Sequence, residues 1–132
     1  MNDFKNLFTG IEARLSEQQG PFTLFAVLLR GDSVPDRWDL VVAAPWMDGE
    51  RTNGIKIVAK EVFSTAPLDI ALRISRVAPV NTREAELRAF VERFAPLHGW
   101  REIRNERFFG HEIEVGYIVT AQPLPQAQPQ AA

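Results

Sequence analysis

The sequence predicts an α+β fold, a five-stranded, mixed and largely antiparallel sheet with three amphipathic helices in the order α-β-β-α-β-α-β-β. Three observations lead there. Phe22 to Leu29 is apolar at both parities, the pattern of a central strand covered on both faces. Trp38 to Trp46 follows it across the turn-rich stretch Gly31 to Asp36, which permits an antiparallel return. Three further stretches place apolar residues on single helical stripes, as expected of helices lying on a sheet.

The elements follow in chain order. Phe4, Leu7, Phe8, Ile11 and Leu15 recur at helical spacing, with Asn2 or Asp3 as N-cap and Gly20-Pro21 as the stop. In the second strand Trp38, Leu40, Val42, Ala44 and Trp46 share a face. Ile55, Val58, Ala59, Val62, Phe63 and Ala66 form the second helical stripe, capped by Thr52 or Asn53 and ended by Pro67. Ile70, Leu72 and Ile74 alternate with Ala71, Arg73 and Ser75 as a third strand. Asn81 and Glu84 resemble a capping box for a third helix with Leu87, Phe90, Val91, Phe94 and Ala95 inward, Pro96 near its end and Gly99 as its C-cap. Ile113, Val115, Tyr117 and Val119 alternate as the last strand, and Gly110-His111 turns Trp100 to Phe109 back as its hairpin partner.

At 132 residues, with 45% hydrophobic and 24% charged residues, the composition is that of one globular core, assigned to residues 1–121. Residues 122–132 are rich in Pro, Gln and Ala and read as a disordered or polyproline-like tail. A net charge of -2 supplies no field for steering nucleic acid or an anionic membrane. The absence of cysteine removes disulfides, thiolate metal sites and cysteine nucleophiles. The N-terminus lacks a signal-peptide pattern, and the longest apolar run, Leu24 to Leu29, is too short to span a bilayer. A soluble cytoplasmic protein is the expectation.

Candidate chemistry is sparse. Gly49 to Gly54 has the glycine spacing of a phosphate loop between a strand and a helix, but Ile55 and Lys56 stand where lysine and Ser/Thr are required. A helix entrance explains the segment better; as a ligand site it offers Asp48, Glu50, Arg51, Thr52 and Asn53 for an anion or small molecule. Asp32, Asp36, Asp48 and Glu50 as metal ligands would have to converge from opposite ends of a hairpin, and turn formation explains them without a metal. His98, expected at a helix C-terminus, and His111, expected in a turn, are the two histidines, so no multi-histidine metal centre exists. Ser33, His111 and Asp36 lack the elbow of a nucleophilic triad. Eight arginines between positions 73 and 107 are interleaved with glutamates, which favours a salt-bridged surface over nucleic-acid binding. No catalytic residue, cofactor or metal is assigned, which weighs against an enzyme.

The aromatics Trp38, Trp46, Trp100, Phe108, Phe109 and Tyr117, with only three helices to cover the sheet, point to an apolar face completed by a second subunit. The stretches Arg37 to Trp46 and Phe109 to Ala121 resemble segments of small uncharacterised bacterial proteins of no assigned function. That resemblance implies a bacterial stand-alone domain and carries no activity, cofactor or site residue. The leading expectation is a non-enzymatic, self-associating protein-interaction module, a homodimer or the partner of another protein. A small-molecule or anion-binding domain using the loop after the second strand is the alternative, and a carboxylate or metal-dependent enzyme the third.

Overall fold

The computed structural model describes residues 2–30, 37–49 and 51–123. Five strands, β1 (Leu24–Arg30), β2 (Trp38–Ala43), β3 (Ile74–Pro79), β4 (Leu97–Phe108) and β5 (His111–Ala121), form one sheet in the order β3-β2-β1-β5-β4. The β2–β3 pair is parallel and the other pairs are antiparallel, so the fold is the mixed α+β sheet expected. β1 is central, which its apolar residues at both parities anticipate. Leu24 to Leu28 are all buried.

Helix α1 (Asn2–Gln19) and helix α3 (Arg51–Thr65) cover one face. There Phe4, Phe8, Ile11 and Leu15 of α1 and Val58 and Val62 of α3 meet Phe25, Val27, Leu40, Val42 and Val119. On the other face Leu87, Phe90, Val91 and Phe94 of α5 (Ala85–Phe94) pack on Leu24, Ala26, Ile103 and Ile118. Gly116 is needed on that side, because an added Cβ would lie 2.6 Å from Leu28 Cδ2. Gly20, at φ +127, ends α1 in a conformation that favours glycine. The Trp46 indole N–H then donates to the Gly20 carbonyl at 2.9 Å.

Several elements differ from their sequence pattern. The second strand stops at Ala43, and Trp46 lies in a short helix, α2 (Pro45–Asp48), begun by a proline suited to a first helical turn. Helix α3 starts at Arg51, so Thr52 and Asn53 lie in its first turn and neither is the cap. The third strand begins only at Ile74. Ile70 belongs to helix α4 (Leu68–Ala71), where Pro67 at the N-cap accepts amide bonds from Ile70 and Ala71 at 3.1 and 2.9 Å.

Asn81 and Glu84 do not form a capping box. Asn81 Oδ1 accepts the Arg83 amide at 2.8 Å in an Asx turn, and Glu84 caps α5 without a side-chain bond. Gly99 and His98 belong to β4, since Pro96 ends the helical path and the strand begins at Leu97. The hairpin turns at Phe109-Gly110, both with positive φ, and His111 opens β5. The expected tail, residues 122–132, lies outside the described residues from position 124 onward.

Candidate functional site

Of the loop residues proposed from the sequence, Asp48 is engaged by the fold. Asp48, at the end of α2, accepts the Thr82 amide at 3.0 Å and the Thr82 hydroxyl, tying α2 to the turn before α5. Thr82 is buried, so this carboxylate serves the fold. Thr52 and Asn53 are exposed on α3, whereas Glu50 and the Arg51 side chain lie outside the described residues. Gly54 closes the phosphate-loop-like spacing for a packing reason: a Cβ there would meet Met47 at 3.0 Å. Asp32, Ser33 and Asp36 also lie outside the described residues. Among the described residues no three His, Asp or Glu side chains gather as a metal site.

A polar cluster that sequence reasoning missed joins α1 to the sheet. Glu12, only 3% exposed, accepts Thr120 Oγ1 at 2.9 Å and Ser16 Oγ at 3.1 Å, and faces His98 Nε2 at 3.4 Å. The signal was present in part, because Glu12 falls one turn after Phe8 inside the apolar stripe. Ser16 lies one turn on in the same helix, but His98 and Thr120 were not legible as partners, since they come from β4 and β5 at the far end of the chain. The arrangement clamps a helix to strand ends.

The arginines are largely spoken for. Arg93 pairs with Glu106 at 2.7 Å, Arg104 with Glu102 and Arg107 with Glu112 at 3.6 Å, while Arg101 lies over the Phe94 ring at 5.1 Å. Because β4 is a strand, Arg101, Arg104 and Arg107 do not form one helical row. On the α1 side of the sheet an aromatic row crosses the strands. Trp100 stacks on Tyr117 at 4.7 Å, Tyr117 on Trp38 at 5.8 Å, and Phe4 meets Trp38 edge-on at 5.3 Å. Burial pushes the Tyr117 phenol upward from 10.0, Glu102 adds to that, and Arg104 opposes it.

Exposed apolar surface concentrates where α3 gives way to α4. Phe63, Leu68 and Leu72, at 47%, 74% and 66% exposure, are the exposed large hydrophobics among the described residues. Helix geometry explains why. Val58 and Val62 turn inward, leaving Lys56, Lys60 and Phe63 on the outer stripe of α3, and Ile70 is buried beneath α4, leaving Leu68 and Leu72 on its outer side. β1 and β2, by contrast, present no open apolar face. Arg73 and Asp69 are exposed beside the leucines.

A second feature lies on the α5 side of the sheet. α5 packs toward β4 and β5, and the corner bounded by β3 and the hairpin tip forms a groove of about 250 Å³. Leu28, Val41 and Ile113 floor it, Val80 and Phe109 wall it, and Asp39, Arg76 and His111 bring polar atoms to it. Asp39, buried, accepts Arg76 Nη2 at 3.3 Å. It is the charged residue in an otherwise apolar strand, on the face opposite Trp38 and Leu40, and that irregularity was its sequence signal.

Comparison with known proteins returns no matching family model, curated protein or solved structure. No helix among the described residues is long and apolar enough to cross a membrane.

Proposed function

We propose that the chain is a non-enzymatic protein-interaction module that associates with a second copy of itself through the ridge of Phe63, Leu68 and Leu72, as a bacterial cytoplasmic homodimer. The observation that carries this is the concentration of exposed large apolar side chains in one stretch of ten residues joining two helices. Large side chains held in water by a well-covered fold mark association surfaces. A two-fold contact sets the same ridge against itself, with leucines one turn apart able to interdigitate and Lys56, Lys60 and Asp69 at the polar rim.

The absence of cysteine makes a direct test simple. A single Leu72→Cys variant should form a covalent dimer under mild oxidation, because a ridge packed on its own copy brings the two thiols within disulfide reach. A Glu17→Cys control on exposed α1 should not. Equal cross-linking at both positions, or none at Leu72, counts against the ridge as the contact.

A further inference from the structure

We infer that the groove between β3 and the β4–β5 hairpin is a binding site for a small apolar carboxylate, separate from the self-association ridge. Its floor and walls are apolar, and its volume of about 250 Å³ falls just below the roughly 300 Å³ where drug-sized pockets begin, so a small molecule fits. The polar atoms determine which end of the ligand is charged, and of which sign. Asp39 is buried behind Arg76 and already holds one of its guanidinium nitrogens at 3.3 Å. Arg76, 55% exposed at the side chain, is the outer member of that pair and has further N–H donors to offer. A carboxylate therefore meets Arg76 at the rim, oriented by Asp39 from behind, while an amine would have to displace a paired guanidinium from a buried acid.

The hairpin supplies an independent observation. Phe109 has φ 51 and Gly110 φ 80, the two left-handed positions of a two-residue turn in which Asn-Gly is the favoured pair. A bulky aromatic is strained there, and strain of this kind collects at ligand clamps. The turn nevertheless places the Phe109 ring edge-on to Phe108 at 4.7 Å, as a wall of the groove, with the Phe109 amide donating to Glu86 of α5. A residue chosen for the turn alone would be asparagine. Phenylalanine gives up local backbone preference and gains an apolar wall beside the arginine.

The test is a titration of the isotopically labelled native protein, followed by amide NMR shifts, with 3-phenylpropanoate, 3-phenylpropan-1-ol and 3-phenylpropan-1-amine as matched probes. The carboxylate should give saturable shifts at Val41, Ala78, Val80, Phe109 and Gly110, with the alcohol and amine about tenfold weaker, the size of one charge-assisted hydrogen bond at a half-exposed site. Arg76→Gln should abolish the preference, leaving the acid no better than the alcohol. Phe109→Asn, which suits the turn, should leave the melting temperature unchanged or higher while weakening all three probes by about tenfold. No saturable shift at the groove, an amine that binds best, or an Arg76→Gln protein that still prefers the acid would overturn the assignment. Because the first comparison uses the unmutated protein, it stands even if a variant folds poorly.

Discussion

Truncating Glu12 tests whether the buried cluster clamps α1 to the sheet. Its carboxylate holds Thr120 Oγ1 at 2.9 Å and Ser16 Oγ at 3.1 Å, and Thr120 is itself buried. Hydrogen bonds to a charged group contribute about 1.5–3 kcal/mol each, and a buried hydroxyl left without an acceptor costs about 1–3 kcal/mol. Removing the carboxylate also removes its own desolvation cost, so these figures do not add in full. Glu12→Ala should therefore lose about 3 kcal/mol, and Glu12→Gln, which keeps one acceptor in place, about 1–2 kcal/mol. For a chain of this length the alanine variant should melt about 10 °C lower. His98 contributes less: its side chain is 63% exposed and its contact is 3.4 Å, so His98→Ala should cost under about 1 kcal/mol. The assay is urea unfolding followed by circular dichroism, with a double-mutant cycle pairing Glu12→Ala with Thr120→Val. A coupling of about 1 kcal/mol is expected. A Glu12→Ala protein within about 0.5 kcal/mol of the parent, or no coupling to Thr120, would refute the clamp.

Other consequences can be measured on the same material. Gly116→Ala should destabilise by about 1–3 kcal/mol, since its Cβ would lie 2.6 Å from Leu28 and 3.2 Å from Ile103; a neutral urea midpoint would show that the sheet yields there. Tyr117 is the one tyrosine of the chain, so tyrosinate absorbance reports it alone and should titrate above 10.0. Because the folded phenol is raised, its contribution to stability is complete below pH 10.0 and is lost as pH rises from there through the folded value. Tyr117→Phe should remove that loss, and a midpoint at or below 10.0 would contradict the burial argument. Leu68→Glu should leave unfolding stability within about 0.5 kcal/mol, because the side chain is 74% exposed and supports no core contact.

Periodicity made much of the fold legible. Phe4, Phe8, Ile11 and Leu15, and Leu87, Phe90, Val91 and Phe94, are buried on the stripes that their spacing describes, and the two-sided apolar character of β1 corresponds to its central place. What escaped was decided by competition between local signals. Ile70, Leu72 and Ile74 satisfy a strand's alternation, yet Pro67 starts a helical turn whose carbonyl bonds claim Ile70 first. Asn81 and Glu84 match a capping box, but Asn81 spends its side chain on the Arg83 amide. The site was less legible than the fold. Asp48 looked available in a loop because nothing local shows that Thr82, far along the chain, occupies it. Asp39 and Glu12 each interrupt an apolar pattern, which marks them as unusual without naming Arg76 or Thr120 as partners. The Phe63, Leu68 and Leu72 ridge was hidden for the opposite reason. In sequence Phe63 falls in the second helical stripe and Leu72 in a strand's alternation, yet Val58 and Val62 take the inward side of α3 and Ile70 that of α4, which leaves both outside beside Leu68.

The central claim is self-association through that ridge, and sedimentation velocity of the native chain across a concentration series tests it most directly. The weight-average mass should rise from that of the monomer to about one and a half times it by about 100 μM, where a contact of about 5.5 kcal/mol places half of the chains in dimer, and the Leu68→Glu/Leu72→Glu variant should stay monomeric. A native protein that remains monomeric throughout, or a dimer that the double variant leaves intact, would contradict it.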